Sequence, residues 1–125
     1  MRIVVAVVAL LLAATLPARS ADILATGPGY GSDSQAVARC YLYNAGGTSV
    51  TVSSVRIIRE NTGPVPVNCN CGTLASKHEC ECVAAIINSV AHACKAVVSD
   101  KTNIRGTFVI FPSSEQTVLY SEVLR

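Results

Sequence analysis

Four of the six cysteines form two Cys-x-Cys pairs that flank a short polar segment. Cys69 and Cys71 make up the first pair, and Cys80 and Cys82 the second. Residues two apart in a β-strand share one face of that strand. If the two arms pair antiparallel, one register sets Cys71 opposite Cys80 and Cys69 opposite Cys82. All four thiols then lie on one side of a hairpin, and this arrangement predicts a ladder of two disulfides.

The N-terminus has the pattern of a secretory signal peptide. Apart from Thr15, the chain is apolar from Ile3 to Leu16, and small residues at Ala18 and Ser20 suit a signal peptidase. This run of about 14 residues is shorter than the roughly 20 that a membrane-spanning helix needs. The sequence therefore favours a signal peptide over residues 1–20 rather than an uncleaved anchor. The expected location is secreted or periplasmic.

Charge composition excludes two classes of partner. The chain of 125 residues has ten basic and eight acidic side chains, and removal of Arg2 and Arg19 with the leader makes the two counts equal. Nucleic acids and anionic membranes are bound by basic stripes, and the sequence has none. We expect no nucleic-acid partner, no membrane contact after cleavage and no cofactor. The partner is otherwise unknown, with another protein as one candidate.

Alternating apolar residues and frequent turn signals predict a single all-β domain over 36–125, after an irregular lead-in over 21–35. About seven antiparallel strands would form an immunoglobulin-like β-sandwich. A slip of the alternation at Ser53-Ser54 indicates a bulge, and Pro66 indicates an edge strand. The clearest strands span Ala36–Tyr43, Val50–Arg59, Gly106–Phe111 and Thr117–Leu124, with Ile23-Leu24 as a short edge strand.

The segment 83–98 allows two interpretations. Its apolar residues fit a helical stripe, and they also fit two strands joined at Asn88-Ser89. We favour strands, because Cys80 to Cys82 enters the segment extended and an antiparallel context is predicted on both sides.

Six cysteines in an exported chain indicate three disulfides, although 15 pairings are formally open. Beside the ladder, Cys40 and Cys94 would join strands across the two sheets. A bridge enclosing 54 residues stabilises by roughly 3–4 kcal/mol in the chain-entropy model. The alternative is a zinc site of four thiolates. Zinc sites usually use Cys-x₂₋₄-Cys rather than Cys-x-Cys, so we expect no metal.

Two stretches resemble exported bacterial immunoglobulin-like β-sandwiches of the choice-of-anchor D and ASPM–SPD-2–Hydin type. They are CYLYNAGGTSVTVSSVRI, which begins at Cys40, and CGTLASKHEC, which begins at Cys71. The resemblance extends over about Val37 to Arg125. It implies the sandwich fold, a disulfide between Cys71 and Cys80, and a structural or binding role without catalytic residues.

The functional expectation is a non-enzymatic structural or binding module of unknown ligand. The alternative is an inhibitor or ligand-binding protein that uses a loop clamped at its base by the ladder, since preorganisation lowers the entropic cost of binding. A third hypothesis is a hydrolase using His78 or His92, for which no catalytic motif is present. The candidate loop residues are Gly72, Thr73, Leu74, Ser76, Lys77, His78 and Glu79.

Overall fold

The computed structural model describes residues 20–30, 36–86, 90–112, 118 and 120–125. This part of the chain is all-β and antiparallel, and contains no helix. The predicted all-β, antiparallel class is therefore confirmed, as is the preference for strands over a helix in the described part of 83–98. The same residues include no helix with the length and apolar character needed to cross a membrane. Residues 1–19 of the predicted signal peptide and the turn predicted at 88–89 lie outside the described residues.

The described residues form ten strands rather than about seven, because short edge segments also pair. They are β1 (Asp22–Ala25), β2 (Ala36–Asn44), β3 (Val50–Arg59), β4 (Gly63–Val65), β5 (Asn68–Cys69), β6 (Thr73–Leu74), β7 (Glu79–Ile86), β8 (His92–Val98), β9 (Ile104–Pro112) and β10 (Tyr120–Leu124).

The strands form two sheets whose apolar faces enclose one core. Sheet 1 has the order β1-β8-β3-β4, and β6 also pairs with β3. Sheet 2 has the order β10-β9-β2-β7-β5. Inward side chains alternate with outward ones, as in β2, where Ala36, Ala38, Cys40 and Leu42 are all buried. The bulge predicted in β3 lies between Val52 and Ser54.

Several pairs of consecutive strands belong to different sheets, and Pro66, which the sequence placed in an edge strand, lies at one such crossing. β4 lies at one edge of sheet 1 and β5 at one edge of sheet 2, so Pro66-Val67 carries the chain across. Proline cannot donate to a strand ladder, which suits a crossing point between two edges. β7 and β8 likewise belong to different sheets and do not pair with each other.

The three disulfides join Cys40 to Cys94, Cys69 to Cys82 and Cys71 to Cys80. The first links β2 in sheet 2 to β8 in sheet 1, with Cα atoms 6.1 Å apart and both residues fully buried. The pairing matches the expectation, and the hairpin register sets Cys69 opposite Cys82.

The lead-in is structured over part of its length. β1 pairs with β8, and Leu24 is buried in the core, so packing begins well before residue 36. Gly29 then exchanges two backbone hydrogen bonds with His92, at 2.7 and 2.8 Å. A Cβ atom on Gly29 would lie 2.3 Å from the ring of Tyr120, which packs edge-on against Phe108. Because glycine has no Cβ atom, the lead-in can pair with β8 at position 29 and still pass beside the ring of Tyr120 in β10.

Replacement of Gly29 by alanine should lower the free energy of unfolding by about 1–3 kcal/mol, because neither the paired backbone nor the packed ring can yield easily. Chemical denaturation of the oxidised protein measures this difference. Gly47→Ala is the matched control, since no atom lies within 4 Å of a Cβ there. Equal stability of the two variants would contradict the packing at Gly29.

Candidate functional site

The disulfide ladder has an inner and an outer side. Cys80 and Cys82 are buried in the core, and the Sγ atoms of Cys82 and Cys71 lie 3.9 Å apart. The intervening residues point outward because side chains alternate along a strand. The outward residues are Asn70, Glu79 and Glu81. The ladder thus fixes a polar patch on the outer face of sheet 2.

The candidate loop divides into two parts. Thr73 and Leu74 form β6, which pairs with Thr51 and Val50 of β3, and Leu74 is buried in the core. The backbone N–H of Val52 also donates to the carbonyl of Gly72, at 2.7 Å. The prediction that residues 72–79 form one exposed polar loop is therefore wrong for Leu74. An apolar side chain in that polar stretch was the signal that it turns back to the core.

Residues 76–79 form the outer part of the loop, and we call them the hairpin tip. Ser76 is half-buried and donates from its hydroxyl to the carbonyl of Gly46, at 2.7 Å. Lys77, His78 and Glu79 are exposed. Their backbone is nevertheless held by hydrogen bonds to the strand beneath it, so the hairpin tip is a fixed surface.

Asn44 is the residue that holds the hairpin tip, and it is fully buried. Its side-chain amide donates to the carbonyls of Thr48, at 2.7 Å, and Leu74, at 3.1 Å, while its Oδ1 accepts from the N–H of Gly46. Its backbone N–H donates to the carbonyl of His78, and its own carbonyl accepts from the N–H of Lys77. Through its side chain and its backbone together, this one buried residue therefore joins the β2–β3 turn to both parts of the loop.

Internal hydrogen bonds determine which polar atoms the hairpin tip offers. Lys77 has a left-handed backbone, with φ of 61°, and its ammonium donates to the carbonyl of Ala45. His78 approaches the carbonyl of Ser76 through Nδ1, at 2.8 Å. A carbonyl can only accept, so Nδ1 carries the proton and Nε2 of the neutral ring remains an acceptor. Within the described residues, no hydrogen bond or ion pair engages the Glu79 carboxylate.

A small polar pocket lies beside the hairpin tip, and we call it the ladder pocket. Its lining side chains include Tyr41, Asn70, Glu79 and Glu81, and its volume is about 120 Å³. Tyr41 lies directly opposite Glu81 in the register of β2 and β7. Asn70 Oδ1 accepts from the backbone N–H of Glu81, at 2.7 Å. These contacts fix the walls of the pocket.

The charge of the ladder pocket is unevenly compensated. Glu81 forms an ion pair with Arg39, at 3.0 Å, whereas Glu79 has no cation partner among the described residues. One uncompensated carboxylate therefore lines the same pocket as the aromatic side chain of Tyr41. This combination suits a cation, which can meet both a negative charge and the face of an aromatic ring.

The four hairpin thiols all belong to disulfides, so they offer no thiolate to a metal. Within the described ranges, no group of three or more His, Cys, Asp or Glu side chains has the arrangement of a metal site.

The two histidines have different environments. His78 is exposed at the hairpin tip, and His92 is buried in β8. His92 lines a second groove of about 310 Å³, which also includes Tyr30 and Glu60. Its ring is 1% exposed, and neither ring nitrogen has a hydrogen-bond partner in the described part of the chain. Burial is the main reason that the pKa of His92 lies below 6.5, and the positive charge of Arg59 lowers it further, whereas the backbone of Val90 opposes the shift.

Glu60 shares the groove with His92, but its carboxylate accepts from the backbone N–H of Ala91, at 3.4 Å. A catalytic histidine needs a hydrogen bond that orients its ring, and the described residues provide none for His92. The absence of enzymatic activity stays a prediction.

No family model, curated protein or solved structure matches this chain. Nothing from known proteins therefore bears on the resemblance to exported immunoglobulin-like modules, which stays a hypothesis.

Replacement of Asn44 by alanine should lower the free energy of unfolding by about 2–4 kcal/mol, because one buried carbonyl, one partly buried carbonyl and one buried N–H lose their partner together. Thermal and urea unfolding measure the change. Asn68→Ala is the matched control, since Asn68 is exposed on β5, and its effect should stay within about 0.5 kcal/mol. A small effect at Asn44 would contradict the role of its side chain in joining the β2–β3 turn to Leu74.

The buried His92 should make stability depend on pH. Because its folded pKa lies below the unfolded value of 6.5, the unfolded chain binds the proton more readily. The free energy of unfolding should therefore fall as pH drops below about 6.5, by at most about 1.4 kcal/mol per pH unit. Urea unfolding from pH 7.5 to 5 measures this slope.

His92→Leu should remove the slope, whereas His78→Gln, at the exposed histidine, should retain it. An unchanged slope in His92→Leu would show that another group is responsible.

Proposed function

We propose that this chain is an exported, non-enzymatic, immunoglobulin-like binding module that recognises a positively charged group at its hairpin tip and ladder pocket. The supporting observation is the distribution of donors and acceptors there. The one ammonium, on Lys77, already donates to a carbonyl of the protein, while the Glu79 carboxylate is uncompensated. Lys77 balances the charge of Glu79 over the hairpin tip as a whole, but a ligand in the ladder pocket meets the Glu79 carboxylate, whose oxygens no described residue engages.

Export is supported by the signal-peptide pattern and by the three disulfides. Disulfides form and persist in oxidising compartments, so the bridges are consistent with a secreted or periplasmic location.

Rigidity is the second support for a binding role. Two bridges clamp the base of the hairpin, and Asn44 holds the tip through its backbone and the adjoining Leu74 through its side chain. A site that is already in its bound conformation loses little entropy on binding. The left-handed backbone at Lys77 costs about 1 kcal/mol and is maintained by this surrounding network.

The nature of the loop distinguishes this function from that of an inhibitor. An inhibitor that enters a protease cleft needs an extended and exposed segment. Thr73 and Leu74 instead pair with β3, and Leu74 is buried. The exposed part is short, so it suits contact with a single side chain, such as an arginine or lysine of a partner protein.

The ladder pocket can be tested with N-acetyl-arginine amide as a probe. We expect amide chemical-shift changes at Tyr41, Asn70, Glu79 and Glu81 in an ¹⁵N-labelled oxidised sample, with a Kd on the order of 1 mM. Glu79→Gln should weaken binding about tenfold, since it removes the uncompensated charge. Glu60→Gln is the control, because Glu60 is exposed and lies outside this pocket.

A displayed peptide library, panned on the native protein and on Glu79→Gln, then tests recognition of a protein partner. Peptides enriched only on the native protein should contain arginine or lysine. Binding of the probe that is unchanged in Glu79→Gln, or no shift in the pocket, would contradict the proposal and favour a purely structural module.

A further inference from the structure

The outer face of sheet 1 carries two cations in an arrangement that is unfavourable without a ligand. Arg56 on β3 and Lys95 on β8 are direct partners in the antiparallel register. Opposed side chains in such a pair share one face of the sheet, with Cβ atoms about 5 Å apart, and like charges at these positions destabilise the sheet. Among the described residues, neither cation has a hydrogen bond or an ion pair.

The two cations line a groove rather than a flat surface. Its volume is about 380 Å³, and the lining combines the two charges with one hydroxyl and three apolar side chains. The lining residues are Ser54, Arg56, Ile58, Pro64, Lys95 and Val97. The apolar members lie on both sides of the charged row, because Val97 is opposite Ser54 while Pro64 is opposite Ile58.

We propose that this groove binds an oxyanion, such as a phosphate, sulfate or carboxylate, that is carried on an apolar group. The fork of N–H donors on Arg56 suits an oxyanion in two-point contact, and Lys95 adds a point charge. The Ser54 hydroxyl can donate a further hydrogen bond. An anion between the two cations would also remove the repulsion that they exert on each other.

Charge also separates this ligand from a membrane surface. Anionic lipid surfaces attract clusters of four or more basic residues, whereas this groove has two. The two cations and the apolar flanks instead match a single anionic group on a small apolar body. The site lies on the sheet opposite to the ladder pocket, so it is independent of the proposed cation binding.

Titration of the ¹⁵N-labelled oxidised protein with phenyl phosphate, at constant ionic strength, tests this inference. We expect saturable shifts at Ser54, Arg56, Lys95 and Val97, with a Kd on the order of 1 mM. Benzyl alcohol, which is similar in shape but neutral, should cause no saturable shift. Phenyl sulfate and phenylacetate then show which oxyanion the groove prefers.

Arg56→Gln and Lys95→Gln should each weaken phenyl phosphate binding about tenfold. Arg105→Gln is the matched control, because Arg105 is exposed on β9 in the other sheet. Without ligand, Arg56→Gln should melt at a higher temperature than the native protein, since the repulsion is removed. A melting temperature of Arg56→Gln that is no higher than that of the native protein would contradict the proposed repulsion, even if binding is weak.

Three results would overturn the proposal. They are equal response to phenyl phosphate and benzyl alcohol, unchanged binding in both glutamine variants, and binding to phosphatidylglycerol vesicles without any response to phenyl phosphate. The last result would identify a membrane surface as the ligand.

Discussion

The buried bridge between Cys40 and Cys94 is the constraint on which the rest of the structure depends. It joins a central strand of each sheet, and cross-linking residues 54 apart stabilises the fold by about 4 kcal/mol in the chain-entropy model. Cys40 also lies directly opposite Cys82 in the register of β2 and β7. The inter-sheet bridge and the buried cysteines of the ladder, Cys80 and Cys82, therefore lie in the same core, while Cys69 is at the surface. Because the bridges fix β7 and β5, the outward side chains between the cysteines are fixed as well.

This framework gives the two outer faces opposite character. On sheet 2, the ladder pocket and hairpin tip combine an uncompensated carboxylate with an internally engaged ammonium. On sheet 1, Arg56 and Lys95 face each other without a partner among the described residues. In the described part of the chain, the two outer faces thus each carry unpaired charged groups, of opposite sign. This separation supports a module that contacts two different chemical groups, since neither surface neutralises the other.

Much of the fold could be predicted from local patterns, and most of the site could not. The period of two along Cys69 to Cys82 predicted the register of the ladder, because pairing within a hairpin depends only on neighbouring residues. The same period could have assigned Glu79 and Glu81 to the outer face. By contrast, the role of Asn44 depends on contact with Leu74, thirty residues away, and no local pattern records such a contact. For the same reason, local patterns did not predict that β7 and β8 belong to different sheets. They also did not predict that β6 pairs with β3.

Disulfide mapping of the oxidised protein tests the cysteine pairing, and with it the register of the hairpin. Stepwise reduction with differential alkylation, followed by tandem mass spectrometry, distinguishes the two possible ladders even though the cysteines lie close in sequence. We expect bridges at Cys40–Cys94, Cys69–Cys82 and Cys71–Cys80 and no free thiol. Crossed bridges at Cys69–Cys80 and Cys71–Cys82, or free thiols in the hairpin, would contradict the register that fixes the ladder pocket and hairpin tip.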